Sequence, residues 1–262
     1  MTLLSIENLS ITFEGAPAPA VTSVSIEVEP GARVGIIGES GSGKSVTAMS
    51  VLRLNDESIM VYGDASRVMF DGKDLLRADD RALREIRGRR ISMIFQDPMS
   101  VLNPVFTVGA QIVDVLRAHS STTRKAARSA VVRSLAEVGI RDPDRVFDQY
   151  PHELSGGMRQ RVMIAMAIAS RPRLLIADEA TSALDVTVQA AVLGTLDRLA
   201  VERDMAVLMI THDMGVVARF CDVVYVMYRG DVVEHGPVSQ ILLAPQHEYT
   251  RRLLTAVPRL RG

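Results

Sequence analysis

Hydrophobic positions alternate with polar ones at the amino end, in "LLSIENLSITF" and again in "AVTSVSIEVEP", where Pro30 and Gly31 close the pattern. A period of two predicts strands. Farther along, the short apolar runs "RVGIIG", "ISMIF", "LLIA" and "AVLMI" are separated by longer stretches of helical spacing. That alternation predicts parallel strands joined by crossover helices, and the expected class is α/β with a mostly parallel sheet core.

The four apolar runs end alike. The first enters a glycine-rich loop, the second reaches Gln96, the third Asp178 and Glu179, and the fourth Thr211 and His212. Ligands of open parallel sheets bind outside the carboxyl ends of the strands, so strands lying side by side would bring these endings to one rim. Between Gln96 and Asp178 the texture changes. "TVGAQIVDVLRAH" and "TTRKAARSAVVRSLAEVGI" have helical spacing, Asp142 and Pro143 interrupt them, and Ser155 opens another helix. The expectation is one domain over 1–262, with a core of 1–96 and 161–262 that includes an amino-terminal antiparallel β subdomain, and an inserted helical subdomain over 97–160.

Composition narrows the choices. A chain of 262 residues with 47% hydrophobic content can bury a sizeable core. Thirty Lys and Arg against 31 Asp and Glu leave a net charge of -1, so no global field draws it to nucleic acid or acidic lipid. The arginines of "DDRALREIRGRR" are interleaved with acids and lack aromatic companions, which predicts a solvated helix. Cys221 is the only cysteine, excluding an internal disulfide and fitting a reducing compartment. It reads as an inert small hydrophobe, and the methionines of "MRQRVMIAMAIA" read as core filler. Glu7 and Asn8 interrupt the amino end where an export signal needs an apolar core, so none is expected. The longest apolar run, Val162 to Ala169, falls far short of the roughly 20 residues that span a bilayer. Work at a membrane would need another chain to hold this one there.

The chemistry begins at "GESGSGKS", Gly38 to Ser45, which fits G-x-x-x-x-G-K-[ST] between an apolar strand and the helical pattern "SVTAMSVLRL". Glycines let the backbone curl so that successive N–H groups face phosphate oxygens, and the helix amino end adds positive potential. Gly38, Ser40, Gly41, Ser42, Gly43, Lys44, Ser45 and Val46 form the expected nucleotide cradle. Lys44 would reach the β and γ phosphates of ATP, and the Ser45 hydroxyl would ligate Mg2+. Asp178 is assigned to the metal and Glu179 to the base that prepares the attacking water. Gln96, as a further metal ligand, and His212, at the terminal phosphate, complete the catalytic set. In "LSGGMRQR", Ser155 is a good N-cap, and Gly156 and Gly157 leave first-turn amides unshielded, which makes a second anion site. One phosphate loop already exists in the chain, so the economical reading is that this helix start caps a nucleotide held by a second molecule.

Together these residues resemble the ATP-binding subunits of ABC transporters. "LSGGMRQR" is similar to the family signature, "GESGSGKS" to its Walker A, "LLIADE" to its Walker B, "SALD" (Ser182 to Asp185) to its D-loop, Gln96 to its Q-loop and His212 to its switch histidine. The resemblance implies two such domains head to tail, identical or paralogous, each ATP lying between one domain's phosphate loop and the other's signature helix. It adds Gln160 and Asp185 to the nucleotide set, and Phe13 as the aromatic that stacks on adenine. Ala180 stands where the family usually has proline, which would loosen the turn towards the D-loop. "HEYTRRLLTAVP" and "FQDPMSVLNP" resemble the oligopeptide, dipeptide and nickel branch, with Glu248 in place of a proline. The implied function is an ATPase at the cytoplasmic face of the membrane that drives a permease importing peptides. A separate solute-binding protein would choose the cargo, no nucleic acid would be involved, and a permease loop would dock near Gln96 and Met99 to Pro104. Import of nickel or another small solute, or a soluble ABC ATPase without a permease, are the alternatives.

Overall fold

The computed structural model describes residues 2–181 and 185–255, and only the backbone of 98 and 99; most of the D-loop stretch, Ser182 to Leu184, and the end of the branch segment from Ala256 on lie outside the described residues. In chain order the elements are β1 (Leu4–Phe13), β2 (Val21–Val28), β3 (Arg33–Ile37), α1 (Lys44–Val51), β4 (Met60–Tyr62), β5 (Arg67–Phe70), β6 (Lys73–Asp74) and α2 (Asp80–Ile86). There follow β7 (Ile91–Ile94), α3 (Pro98–Val101), α4 (Val108–His119), α5 (Arg124–Glu137), α6 (Pro143–Phe147), α7 (Gly156–Ile168), β8 (Leu174–Asp178) and α8 (Val186–Arg203). The chain closes with β9 (Ala206–Thr211), α9 (Met214–Phe220), β10 (Val223–Tyr228), β11 (Asp231–Pro237), α10 (Val238–Leu243) and α11 (Glu248–Thr255). Two compact units emerge, one built from 1–83 and 206–262, the other from 84–205.

The first unit opens with an antiparallel sheet in which β1 pairs with β2, β4 and β5. Its buried face explains an oddity of the sequence: Leu4 and Ile6 sit at even positions, Leu9 and Ile11 at odd ones, yet all four are fully buried. The register shifts between Ile6 and Leu9, where Asn8 takes a left-handed φ of 48°. A bulge there adds one residue and restores the apolar side chains to the same face. Ser23, with φ of 49°, lies between Val21 and Val24 on β2, where the inward phase also slips.

In the same unit β3 lies parallel between β10 and β9, and β11 is antiparallel on the far side of β10. The registers place Ile37 opposite both Thr211 and Val226, so β3 and β9 finish at one level and β10 runs two residues farther, to Tyr228. Val34, Ile36, Ile37, Val207, Leu208 and Ile210 are all 2% exposed or less, so this part of the sheet is buried on both faces.

The second unit pairs β7 in parallel with β8, Ile94 opposite Ala177. Every described element between residues 97 and 160 is helical. Thr107 and Thr123 cap α4 and α5 by accepting from the N–H groups of Ala110 and Ala126. Asp142 and Pro143, read as an interruption, instead start α6: the Asp142 carboxylate accepts the Arg145 N–H, and proline occupies the first turn, where no N–H is needed. Gly109 of α4 packs so tightly on Phe147 that a Cβ would lie 2.4 Å from the ring. Gly109→Ala should therefore lower stability by about 1–3 kcal/mol, although helix propensity alone favours alanine by about 1 kcal/mol; thermal unfolding measures the sign.

Candidate functional site

In the first unit the buried strand β3 delivers the chain into the loop at Gly38. A Cβ there would stand 2.2 Å from the Met227 carbonyl oxygen, so only glycine lets β3 continue beside the end of β10. Gly41 and Gly43 take left-handed φ of 79° and 98°. A Cβ on Gly43 would also press within 2.7 Å of the Ala20 carbonyl, and the Gly230 N–H donates to the Ser42 carbonyl at 3.1 Å. The loop is thus gripped by the start of β2 and by the β10–β11 turn.

α1 begins at Lys44 with Gly43 at its N-cap and no side-chain cap, which leaves first-turn amides for a ligand. Lys44 is 5% exposed, and its ammonium donates to the carbonyls of Gly38 and Glu39, each at 2.8 Å. The Ser42 hydroxyl is buried without a hydrogen-bond partner, a costly state that an incoming acceptor would relieve. An uncapped helix start, a lysine folded over the loop and an orphaned hydroxyl suit an anion of phosphate size. Ser40 and Gly41 stand exposed at the loop's outer edge, while Ser45 and Val46 are half-buried in the first turn. One contact escaped the sequence reading: the Glu39 N–H donates to the Tyr249 hydroxyl at 2.9 Å.

His212 follows Thr211, the residue paired with Ile37, and is exposed. Its turn is fixed on both sides, because the Asp213 N–H donates to the Thr211 hydroxyl and the Asp213 carboxylate caps α9 at Gly215. Phe13 is the last residue of β1. It pairs with Met60 and lines a cleft of about 440 Å³ with Ile59, Met60 and Tyr62.

In the second unit the ends of β7 and β8 bring two expected residues into contact: the Gln96 amide donates to a Glu179 carboxylate oxygen at 2.9 Å. Asp178, the last residue of β8, is 7% exposed. Glu179 holds a left-handed φ of 46°, a conformation that costs a non-glycine residue about 1 kcal/mol or more. Ala180 just after it is buried, and the buried Gln160 amide donates to its carbonyl, so the turn is anchored without proline. Gln160 therefore points into its own unit rather than outward with the α7 amino end. Asp178 offers a carboxylate at this strand end, a hard oxygen donor of the kind Mg2+ takes singly or in pairs alongside substrate phosphates.

Ser155 caps α7, its hydroxyl accepting the Met158 N–H at 3.4 Å. Ser155 and Gly156 are exposed, and a Cβ on Gly156 would meet nothing within 4 Å. Gly157 is more confined, with a Cβ position 3.2 Å from Val188. The α7 start is thus an open, positive helix end facing solvent. Asp185, the described end of the D-loop stretch, caps α8 by accepting from the N–H groups of Thr187 and Val188.

Comparison with known proteins points one way. The family model described as ABC transporter matches residues 21–182. A peptidoglycan transport ATP-binding protein, YejF of Agrobacterium fabrum, is 51% identical over 98% of this chain, which spans 47% of that longer protein. The dipeptide transport ATP-binding protein DppD of Escherichia coli K12 is 47% identical over 98% of this chain and 79% of its own length. Among solved structures, a dimeric post-hydrolysis state of the ATP-binding cassette MJ0796, bound to ADP and Pi, superposes with a TM-score of 0.79 at 26% identity, covering 90% of this chain and 98% of the other.

Proposed function

We propose that this chain, which belongs to the ABC transporter family, binds and hydrolyses ATP and passes the resulting movement to a membrane permease that imports peptide-like solutes. The observation that carries the reading is the loop of 38–45, where Lys44, Ser42 and the uncapped start of α1 meet at an anion-sized cradle. The import of peptides rests on the relatives: about half of this chain's residues are identical in proteins named for peptidoglycan and dipeptide transport.

Within that reading each residue has a task. Gly38 to Val46 cradle the phosphates, with Lys44 leaving its carbonyl partners to pair with them. Ser45, Gln96 and Asp178 are the residues that would hold Mg2+, which when bound neutralises phosphate charge. Glu179 accepts the proton of the attacking water, and its hydrogen bond with Gln96 fixes the direction of the carboxylate. His212 addresses the terminal phosphate, and Phe13 is kept as the adenine platform. Ser155, Gly156 and Gly157 serve the nucleotide of a second ATPase subunit, identical or paralogous, with Asp185 beside that junction.

Exposed Val105 and Phe106, at 73% and 55%, give the permease an apolar contact next to the α3 helix. Their loop is held in shape by the Gln111 amide, which donates to the carbonyls of Asn103 and Phe106. No helix among the described residues is long and apolar enough to cross a membrane; the proposal places the chain peripherally at the cytoplasmic face, held by the permease, with a solute-binding protein selecting the cargo.

The test is kinetic. If the catalytic pocket is shared between two copies, specific ATPase activity of the purified chain rises with its own concentration and then saturates, and Mg-ATP shifts the particle towards twice its mass. A strictly monomeric particle whose turnover per molecule does not depend on concentration would contradict the shared pocket.

A further inference from the structure

We propose that Tyr249, near the carboxyl end, is a positioning residue of the nucleotide site; the inference rests on the nucleotide-binding reading of residues 38–45. The Gly38–Glu39 peptide is held from both sides. Its carbonyl, that of Gly38, accepts from the Lys44 ammonium at 2.8 Å, and its N–H, that of Glu39, donates to the Tyr249 hydroxyl at 2.9 Å. A peptide group is planar, so turning one end turns the other. Tyr249 therefore fixes the direction in which the Gly38 carbonyl, and with it the resting ammonium of Lys44, points.

The tyrosine is itself firmly set. Its ring is 2% exposed and stacks on Tyr228 with centroids 4.2 Å apart. Tyr228 directly follows Met227, whose carbonyl closes on Gly38, so a single strand end contacts both the loop and the residue that steers it. The turn before α11 is pinned to β11, because the Glu234 carboxylate accepts the N–H groups of Gln246 and His247 at 2.7 and 3.0 Å. The Tyr249 N–H in turn donates to the His247 ring nitrogen. α11 thus delivers one hydroxyl to one peptide of the phosphate loop, 210 positions earlier in the chain.

Without that acceptor the Gly38–Glu39 peptide can rotate, the loop populates conformers in which Lys44 docks differently, and ATP must select the competent fraction. Affinity then falls in proportion to that fraction, while the saturated enzyme, with its loop refilled by phosphate, turns over normally.

Tyr249→Phe keeps the stack and removes the acceptor. By calorimetry on the full chain, its Kd for Mg-ATP is expected to rise about five- to tenfold, with the KM for ATP rising in step and kcat within about twofold of wild type. Tyr225→Phe is the matched control: Tyr225 is also buried and its hydroxyl also accepts a backbone N–H, that of Glu27, at 3.1 Å. It should lower the melting temperature comparably and leave the Kd unchanged. Wild-type affinity in Tyr249→Phe, or an equal loss in Tyr225→Phe, would overturn the positioning role. A wild-type chain that fails to bind Mg-ATP would instead overturn the nucleotide reading, and the role of Tyr249 with it.

Discussion

Glu179→Gln is expected to bind ATP with wild-type affinity, to hydrolyse it at least about a hundredfold more slowly, and to accumulate as a particle of doubled mass in the presence of Mg-ATP. The exchange is unusually clean at this position. Glutamine has the same shape, keeps an oxygen that can accept the Gln96 amide, and bears the same strain at a φ of 46° as glutamate does. What it loses is the ability to take a proton from water. Single-turnover ATPase assays and sedimentation measure the two halves of the prediction. Wild-type turnover in this variant would remove Glu179 from the role of base.

The second large effect is expected at the start of α7. An aspartate at Gly156 enters open space, so the fold has no steric reason to change. A carboxylate in the first turn moreover favours a helix, by about 0.3–1 kcal/mol. Gly156→Asp should therefore melt at or slightly above the wild-type temperature and retain ATP binding at its own phosphate loop. If α7 completes a neighbouring subunit's site as proposed, the variant's hydrolysis should fall about a hundredfold or more, the scale of losing a preorganised donor, because the new charge would face that subunit's nucleotide phosphates. Stability and activity move in opposite directions, which a merely structural role of the glycine cannot produce. Gly157→Asp should lose activity as well, with some loss of stability from crowding Val188. If Gly156→Asp hydrolyses ATP normally, α7 does not complete a neighbour's site.

Local signals made much of this legible. The alternation of β1 and β2, the buried runs of β3, β7, β8 and β9, and the capping residues Ser155, Thr107 and Thr123 act within a few residues of themselves, and their elements form where the pattern places them. The phosphate loop is similar: its glycines and lysine satisfy one another over six positions. Asp142 and Pro143 were harder, because an acid followed by proline both ends one helix and begins another, and only the Arg145 N–H decides. β10 carries a marker of the same kind, the apolar run "VVYVMY" closed by Gly230, whereas β11 is half-exposed with little alternation. The inward turn of Gln160 and the contact of Tyr249 with Glu39 join residues far apart in sequence, so no local pattern encodes them.

The one sulfhydryl has a practical consequence. Cys221 packs under β3, its sulfur 3.1 Å from where a Gly35 Cβ would stand, and burial, followed by the adjoining Asp222 charge, pushes the thiol up to about 12. Maleimide reagents, which need a thiolate to attack them, should not label the native fold at neutral pH. A cysteine introduced at solvent-facing Val186, 81% exposed, would then carry a fluorophore or spin label without background, so that the proposed subunit closure could be followed as a distance in real time.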